Sequence, residues 1–400
     1  MKKRVNIITV VVLMALVGLV TYIITYSMVQ RDFNQRVDTF SRHRQEWGPF
    51  YAALENIENR YIGGTDSLAL MQGAIGGMVR ATGDTWSYYY TPEAYRDFLD
   101  QQRNQYSGIG VYAEDGGGGI RLVEIMDKSP AEEAGLLAGD IITHVDDVAV
   151  ADVGYDAAVG LVRGEEYTLV SLTVERPGEG TGSFIIDVMR REIVIDRVVS
   201  ATIEQAGGKI GVVRVTGFND HVDTEFIDKV GELLREGVQG LVLDVRSNGG
   251  GKLDVLVNML DYLLPEGELI TLRYWDGRVV THSSGPDSVN LPMAVLIDDN
   301  SVSAAEFFAV CLQEYEWAVL VGEQTGGKGY AQEHLRLPDN SSLYLSTSEY
   351  VTSKGRSLAD TGVTPDIELV LAAEERRHIG SMDPVLDRQL GRALQALSGR

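Results

Sequence analysis

Apolar residues in this chain follow two spacings, and the change between them marks its organisation. From residue 31 to about 105 they recur at helical intervals, as Phe33, Val37 and Phe40, then Trp47, Phe50, Tyr51, Leu54 and Ile57. The run Tyr88-Tyr-Tyr90-Thr-Pro-Glu-Ala-Tyr95 opens another helix, with Pro at an early position. Residues 106–190 read instead as short strands around glycine turns. A strand begins at Tyr106, Asp115-Gly-Gly-Gly-Gly119 is a hairpin turn, and 120–125 returns as a strand. Ser129-Pro-Ala-Glu-Glu-Ala-Gly135 is a short capped helix, 140–147 a strand and turn, and 157–162 a helix ended by Arg163-Gly164. From 191 to 372 continuous apolar runs of strand length (210–215, 241–245, 293–297 and 318–321) alternate with helical stretches around 222–235, 252–264 and 303–315. That is the pattern of an α/β core. Residues 373–400 end in an amphipathic helix.

The N-terminus stands apart. Residues 5–29 form a charge-free apolar run of about membrane length, preceded by Lys2, Lys3 and Arg4. Basic residues before such a run place the N-terminus in the cytoplasm and the remainder outside. The run is too long for the apolar core of a cleavable signal, and Tyr26-Ser-Met-Val-Gln30 offers no small-x-small cleavage site. The expectation is an uncleaved, single-pass anchor in the cell membrane, with the rest of the chain extracytoplasmic.

Composition narrows the field. At 400 residues and 44% hydrophobic content the chain holds two or three domains and a sizeable core. A net charge of -23 without a basic patch argues against nucleic acid as a partner. The single Cys311 allows no intramolecular disulfide, and its place in an apolar helix marks it as a buried residue. No Cys or His cluster has metal-ligand spacing, so neither metal nor cofactor is expected.

The chemistry concentrates between Asp298 and Gln332. Strand 293–297 ends in Asp298-Asp-Asn-Ser-Val-Ser303, and Ala304, Ala305, Phe307, Phe308, Val310, Cys311 and Leu312 continue as a buried helix. Ser303 thus stands at a strand-to-helix turn, where unpaired amides and the helix dipole favour a nucleophilic oxygen and the oxyanion it creates. A helix-capping serine is the plain alternative. Lys328 follows a second apolar strand on the loop Gly322-Glu-Gln-Thr-Gly-Gly-Lys328, where desolvation would make it a neutral base. The same loop fits the spacing of a phosphate-binding loop. However, Gly329 stands where Ser or Thr is required, and residues 330–337 alternate like a strand, which argues against nucleotide.

These residues resemble the C-terminal processing peptidases, serine enzymes with a Ser–Lys dyad. The family's nucleophile run is matched by Ser301-Val302-Ser303-Ala304-Ala305-Glu306, with Val302 for the usual Ala, and its lysine run by Thr325-Gly-Gly-Lys328-Gly-Tyr-Ala-Gln332. The resemblance implies Ser303 as nucleophile, Lys328 as base and Gln332 as the residue orienting the lysine. It implies oxyanion donors at Ala304 and in the turn Asp244-Val-Arg246-Ser-Asn248-Gly-Gly-Gly251. Gly251 is favoured there, with Gly249, Gly250 and Gly251 leaving the register open. Asp244 and Arg246 are expected to fix this turn, and Glu306 to cap its helix. Residues 106–190 resemble a PDZ domain, through Ser129-Pro-Ala-x-x-Ala-Gly-Leu136 and Gly139-Asp-x-Ile. The resemblance implies that Gly108, Ile109 and Gly110 hold the carboxylate of a substrate's C-terminus on backbone amides. His144 is structural in this reading.

The expected layout is therefore an anchor at 1–30, a helical region at 31–105 that mediates self-association, a PDZ domain at 106–190, an α/β peptidase core with a mixed sheet at 191–372, and a C-terminal helix at 373–400. The substrates would be proteins with accessible apolar C-termini. Two other classes compete. A catalytically silent PDZ adaptor would bind C-termini without turnover, and a His-Asp-Ser peptidase would need a catalytic His before the PDZ domain, where only His43 stands.

Overall fold

The computed structural model describes residues 47–178, 182–205 and 207–398, together with 14, 16–23, 25–27 and 30. The described residues between 14 and 30 are helical and exposed. No helix among the described residues is long and apolar enough to cross a membrane. Much of the run 5–29 lies outside them, as do Phe33, Val37, Phe40 and His43. The chain divides into two compact units, Met1–Met78 and Val79–Arg400.

In the first unit the helical spacing is realised as Gly48–Arg60 and Ser67–Arg80. Phe50, Tyr51 and Ile57 on the first helix are exposed.

The second unit is built on a six-stranded sheet, with strands in the order Val198–Gln205, Gly208–Val215, Leu241–Asp244, Met293–Ile297, Ala318–Gly322 and Ile367–Glu368. The first pair is antiparallel and the others are parallel, so the sheet is mixed. Its central strands read as unbroken apolar runs because both faces are covered. Leu241, Leu243, Met293, Val295 and Ile297 pack against helices Val222–Arg235, Leu253–Leu263 and Ala304–Glu314. The alternate residues, Val242, Ala294 and Leu296, meet Leu390, Ala393, Leu394 and Leu397 of helix Arg388–Ser398.

A second, antiparallel sheet covers the lysine side. Tyr330–Arg336 and Ser342–Thr352 form its hairpin, flanked by Gly267–Tyr274 and Val279–Ser284. The alternation after Lys328 is therefore a strand, as expected. Tyr88–Tyr90 adds to the same sheet by pairing with Ser342–Tyr344. These tyrosines, expected to lead into a helix, are a strand in their own right. The helix starts at Pro92, capped by Thr91 Oγ1, which accepts from the Ala94 amide at 3.3 Å.

Between residues 105 and 194 a separate β domain is inserted. Strands Gln105–Gly108 and Arg191–Val194 pair as a two-stranded stem at its base. Beyond the stem, five strands pair in the order Val111–Asp115, Ile120–Ile125, Ile141–Val145, Leu169–Glu175, Ser183–Met189. Helices Pro130–Ala134 and Tyr155–Val162 close over them around a core of Ile109, Ile120, Leu122, Ile142, Leu172 and Val188. Ser129 caps the first helix and Gly135, at φ 85°, stops it, as the sequence predicts. His144 is exposed, beside the Thr143 hydroxyl at 3.2 Å.

Candidate active site

Ser303 stands where the buried strand Met293–Ile297 turns into the buried helix Ala304–Glu314. Its backbone lies at φ 58° and ψ −120°, a region that costs a non-glycine residue of the order of 1–3 kcal/mol and persists only where surroundings enforce it. The enforcing contacts are specific. Asp298 accepts from the Ser247 amide at 2.8 Å, and the Val302 amide donates to the Asn248 carbonyl at 3.0 Å, bolting the serine turn to the glycine turn. Gly250 packs against the Ser303 Cβ from below. The Ser303 hydroxyl makes no cap hydrogen bond, while Glu306, three residues on, stands in the capping-box position.

Glu306 holds the two halves of the site together. Buried completely, its carboxylate accepts from the Ser303 amide at 2.8 Å and, across the site, from the Thr325 hydroxyl at 2.5 Å and the Gly327 and Lys328 amides at 2.8 Å each. The expected reach back to the helix start is present. The three bonds to the lysine loop go beyond it. They also commit two loop amides that a phosphate-binding loop would leave open.

The Lys328 ammonium group has no hydrogen bond or ion pair among the described residues. It stands 5.0 Å from the Trp86 ring centroid and 5.9 Å from that of Tyr344. Burial lowers its pKa below the usual lysine value, outweighing the Asp84 and Glu306 carboxylates, which raise it. Asp84 is fixed by the Trp86 amide at 2.9 Å and the Ser87 hydroxyl at 2.5 Å. Trp86 and Asp84 belong to the N-terminal helical region, where the sequence alone carries no chemical signal. Gln332 donates to the Tyr330 carbonyl at 2.8 Å and the Ser346 hydroxyl at 3.1 Å, and not to Lys328.

Of the three glycines, Gly250 has its amide committed to Asn248 Oδ1 at 2.9 Å. The Gly249, Gly251 and Ala304 amides have no partner among the described residues. Behind the turn, the fully buried Arg246 is bonded to both oxygens of Asp244 and of Asp387, and to Gln389 at 2.9 Å. Asp244 and Arg246 thus fix the turn, with the C-terminal segment as their anchor. Gly249, Gly250, Gly251, Ser303, Lys328 and Gln332 line one cleft of about 770 Å³, walled by Trp86, Tyr90, Phe98 and Tyr344. Gly108 and Ile109 do not reach it; they line a pocket of about 200 Å³ in the inserted domain. There the Ile109 and Gly110 amides have no partner among the described residues, while their carbonyls are bonded to Ala131 and Met126.

In this geometry, a hydroxyl on a strained turn faces the same cleft as a desolvated amine, beside unpaired backbone amides. That set is suited to acyl transfer.

Comparison with known proteins agrees. Residues 209–369 match Peptidase family S41, and 122–176 match the PDZ domain. The chain is 30% identical over 321 residues to the carboxy-terminal processing protease CtpA of Bacillus subtilis (strain 168), covering 80% of this chain and 68% of that protein. It is 31% identical over 321 residues to the carboxy-terminal-processing protease of Bartonella bacilliformis, covering 78% and 73%. Among solved structures, a photosystem II D1 C-terminal processing protease matches at 27% identity and a TM-score of 0.50, covering 80% of this chain and 86% of that one.

Proposed function

Because the chain belongs to peptidase family S41, the carboxy-terminal processing proteases, we propose that it is a Ser–Lys endopeptidase that selects substrates by their C-termini. Neutral Lys328 takes the proton from the Ser303 hydroxyl, and the alkoxide attacks a substrate peptide carbonyl. The Ala304 and Gly251 amides stabilise the oxyanion. Lys328 then protonates the leaving amine, and water hydrolyses the acyl-enzyme.

The observation that carries this reading is that Lys328 and Ser303 line one cleft, with the Trp86 and Tyr344 rings near the lysine nitrogen and no ion pair to it among the described residues.

Three finer elements belong to the same proposal. The inserted domain holds apolar C-termini, with the unpaired Ile109 and Gly110 amides taking the terminal carboxylate. The run 5–29 anchors the chain, with the N-terminus cytoplasmic and the peptidase outside. The N-terminal helical region mediates self-association, consistent with the exposed Phe50, Tyr51 and Ile57.

The test is cleavage of an unfolded protein with an apolar C-terminus by the parent, Ser303→Ala and Lys328→Ala. The proposal expects turnover by the parent alone, at equal folding. Equal cleavage by Lys328→Ala removes the lysine from the mechanism. Binding without turnover by all three favours the silent adaptor.

A further inference from the structure

Strand Val111–Asp115 lies at the end of its six-stranded sheet, so one of its edges faces helix Tyr155–Val162 instead of another strand. Between strand and helix lies the pocket floored by Ile109, Ile120 and Ile142 and walled by Val159 and Val162. Along a strand, successive residues offer their backbone groups to opposite edges. The Gly110 carbonyl accepts from Met126 on the neighbouring-strand side, so Val111 and Ala113 present theirs to the open edge. The register shift between these strands skips Val123 on the partner, leaving this alternation intact.

A chain end added to that edge would pair first with Val111 and, two residues further from its terminus, with Ala113. The second position is taken. The Tyr155 hydroxyl, from the first turn of the helix, donates to the Ala113 carbonyl at 2.8 Å. Its ring packs with Val111, Ala113 and Val159 against the domain core, which holds the phenol in place.

We propose that Tyr155 stops strand pairing after the last two residues of a bound chain. The groove then selects a free carboxylate and one apolar terminal side chain, and is indifferent to the backbone of the third residue from the end. This rests on the reading of the inserted domain as a receptor for C-termini. The substrates it admits are proteins ending in an aliphatic residue, whatever precedes it.

The test uses the full chain carrying Ser303→Ala, so that bound peptide is not cut, with and without Tyr155→Phe. The probe is a fluorescein-labelled hexapeptide ending in Ser-Ala-Val, read by anisotropy. It is compared with the same peptide N-methylated at the Ser amide and with a C-terminally amidated version. With Tyr155 present, N-methylation should change Kd by less than about twofold. In Tyr155→Phe, which frees the Ala113 carbonyl, it should weaken binding about fivefold, the worth of one ordinary hydrogen bond. Equal sensitivity to N-methylation in both proteins overturns the assignment of Tyr155. Loss of binding on amidation in both proteins supports the underlying reading. Binding that ignores amidation, or no binding, overturns that reading and the proposal with it, independently of Tyr155. Equal melting temperatures of the two proteins establish that the substitution leaves the fold intact.

Discussion

Gly250 and Ser303 are packed so closely that a Cβ on the glycine would stand 2.8 Å from the Cβ of the serine and 3.0 Å from the Ala304 nitrogen. Gly250 also lies at φ 92°, where any side chain is strained. Gly250→Ala should therefore displace the serine turn and cost about a hundredfold or more in kcat, the scale of a lost oxyanion contact. Gly249, where a Cβ would meet nothing within 4 Å, provides the control. Gly249→Ala should leave the melting temperature unchanged. Steady-state kinetics and thermal melts of the pair check this, and equal kcat for both variants would remove the packing argument.

Glu306→Gln keeps the size of the side chain but replaces one accepting oxygen with an amide that cannot accept. One or two of its four donors must lose their partner in a fully buried place. The expected cost is about 2 kcal/mol of stability. Kcat should fall more than KM rises, because both reacting segments are referenced to this carboxylate. Denaturant unfolding and a kcat against KM comparison read the two effects separately.

Lys328→Met should abolish turnover and raise the melting temperature at neutral pH. Burial lowers the pKa of the folded lysine below its unfolded value. Between those two values the unfolded chain binds the extra proton, so this group makes stability rise with pH and penalises folding at lower pH. An uncharged side chain removes the penalty. A variant less stable than the parent at pH 7 would contradict a desolvated lysine.

With Lys328 as the proposed base, the same lysine should set the acid side of the rate profile. Activity should fall as pH drops through its pKa, because only the neutral amine accepts the serine proton. Asp84 raises that pKa, so Asp84→Asn should move the acid limb of kcat/KM to lower pH while retaining the Trp86 amide bond through Oδ1. An unmoved limb would separate Asp84 from the base.

Much of this was legible in the linear chain, for a physical reason. Strands 241–244 and 293–297 are covered on both faces, so their apolar runs are continuous, and the turns at Ser303 and Gly249–Gly251 follow them directly. Glu306 was legible as a cap because that bond is local. Its three bonds to Thr325, Gly327 and Lys328 depend on how two strands place separate loops, which no local pattern encodes. Trp86 and Asp84 were hidden for the same reason. They reach Lys328 because Tyr88 pairs with Tyr344, a register set by the folded sheet. Three consecutive tyrosines are the local sign of a strand there, while Pro92 just after them signals the start of a helix.

The stem beneath the inserted domain has a consequence of its own. Ser107 lies opposite Glu192 and Gly108 opposite Arg191, so the chain leaves the peptidase core and returns to it through adjacent, hydrogen-bonded residues. To the core, the whole excursion is topologically a hairpin loop, and its length adds little to the entropy of closing the core's own contacts. The inserted domain is thus a cassette, open to exchange or redesign without redrawing the peptidase core. The two parts can drift apart in sequence in such a protein while each continues to fold.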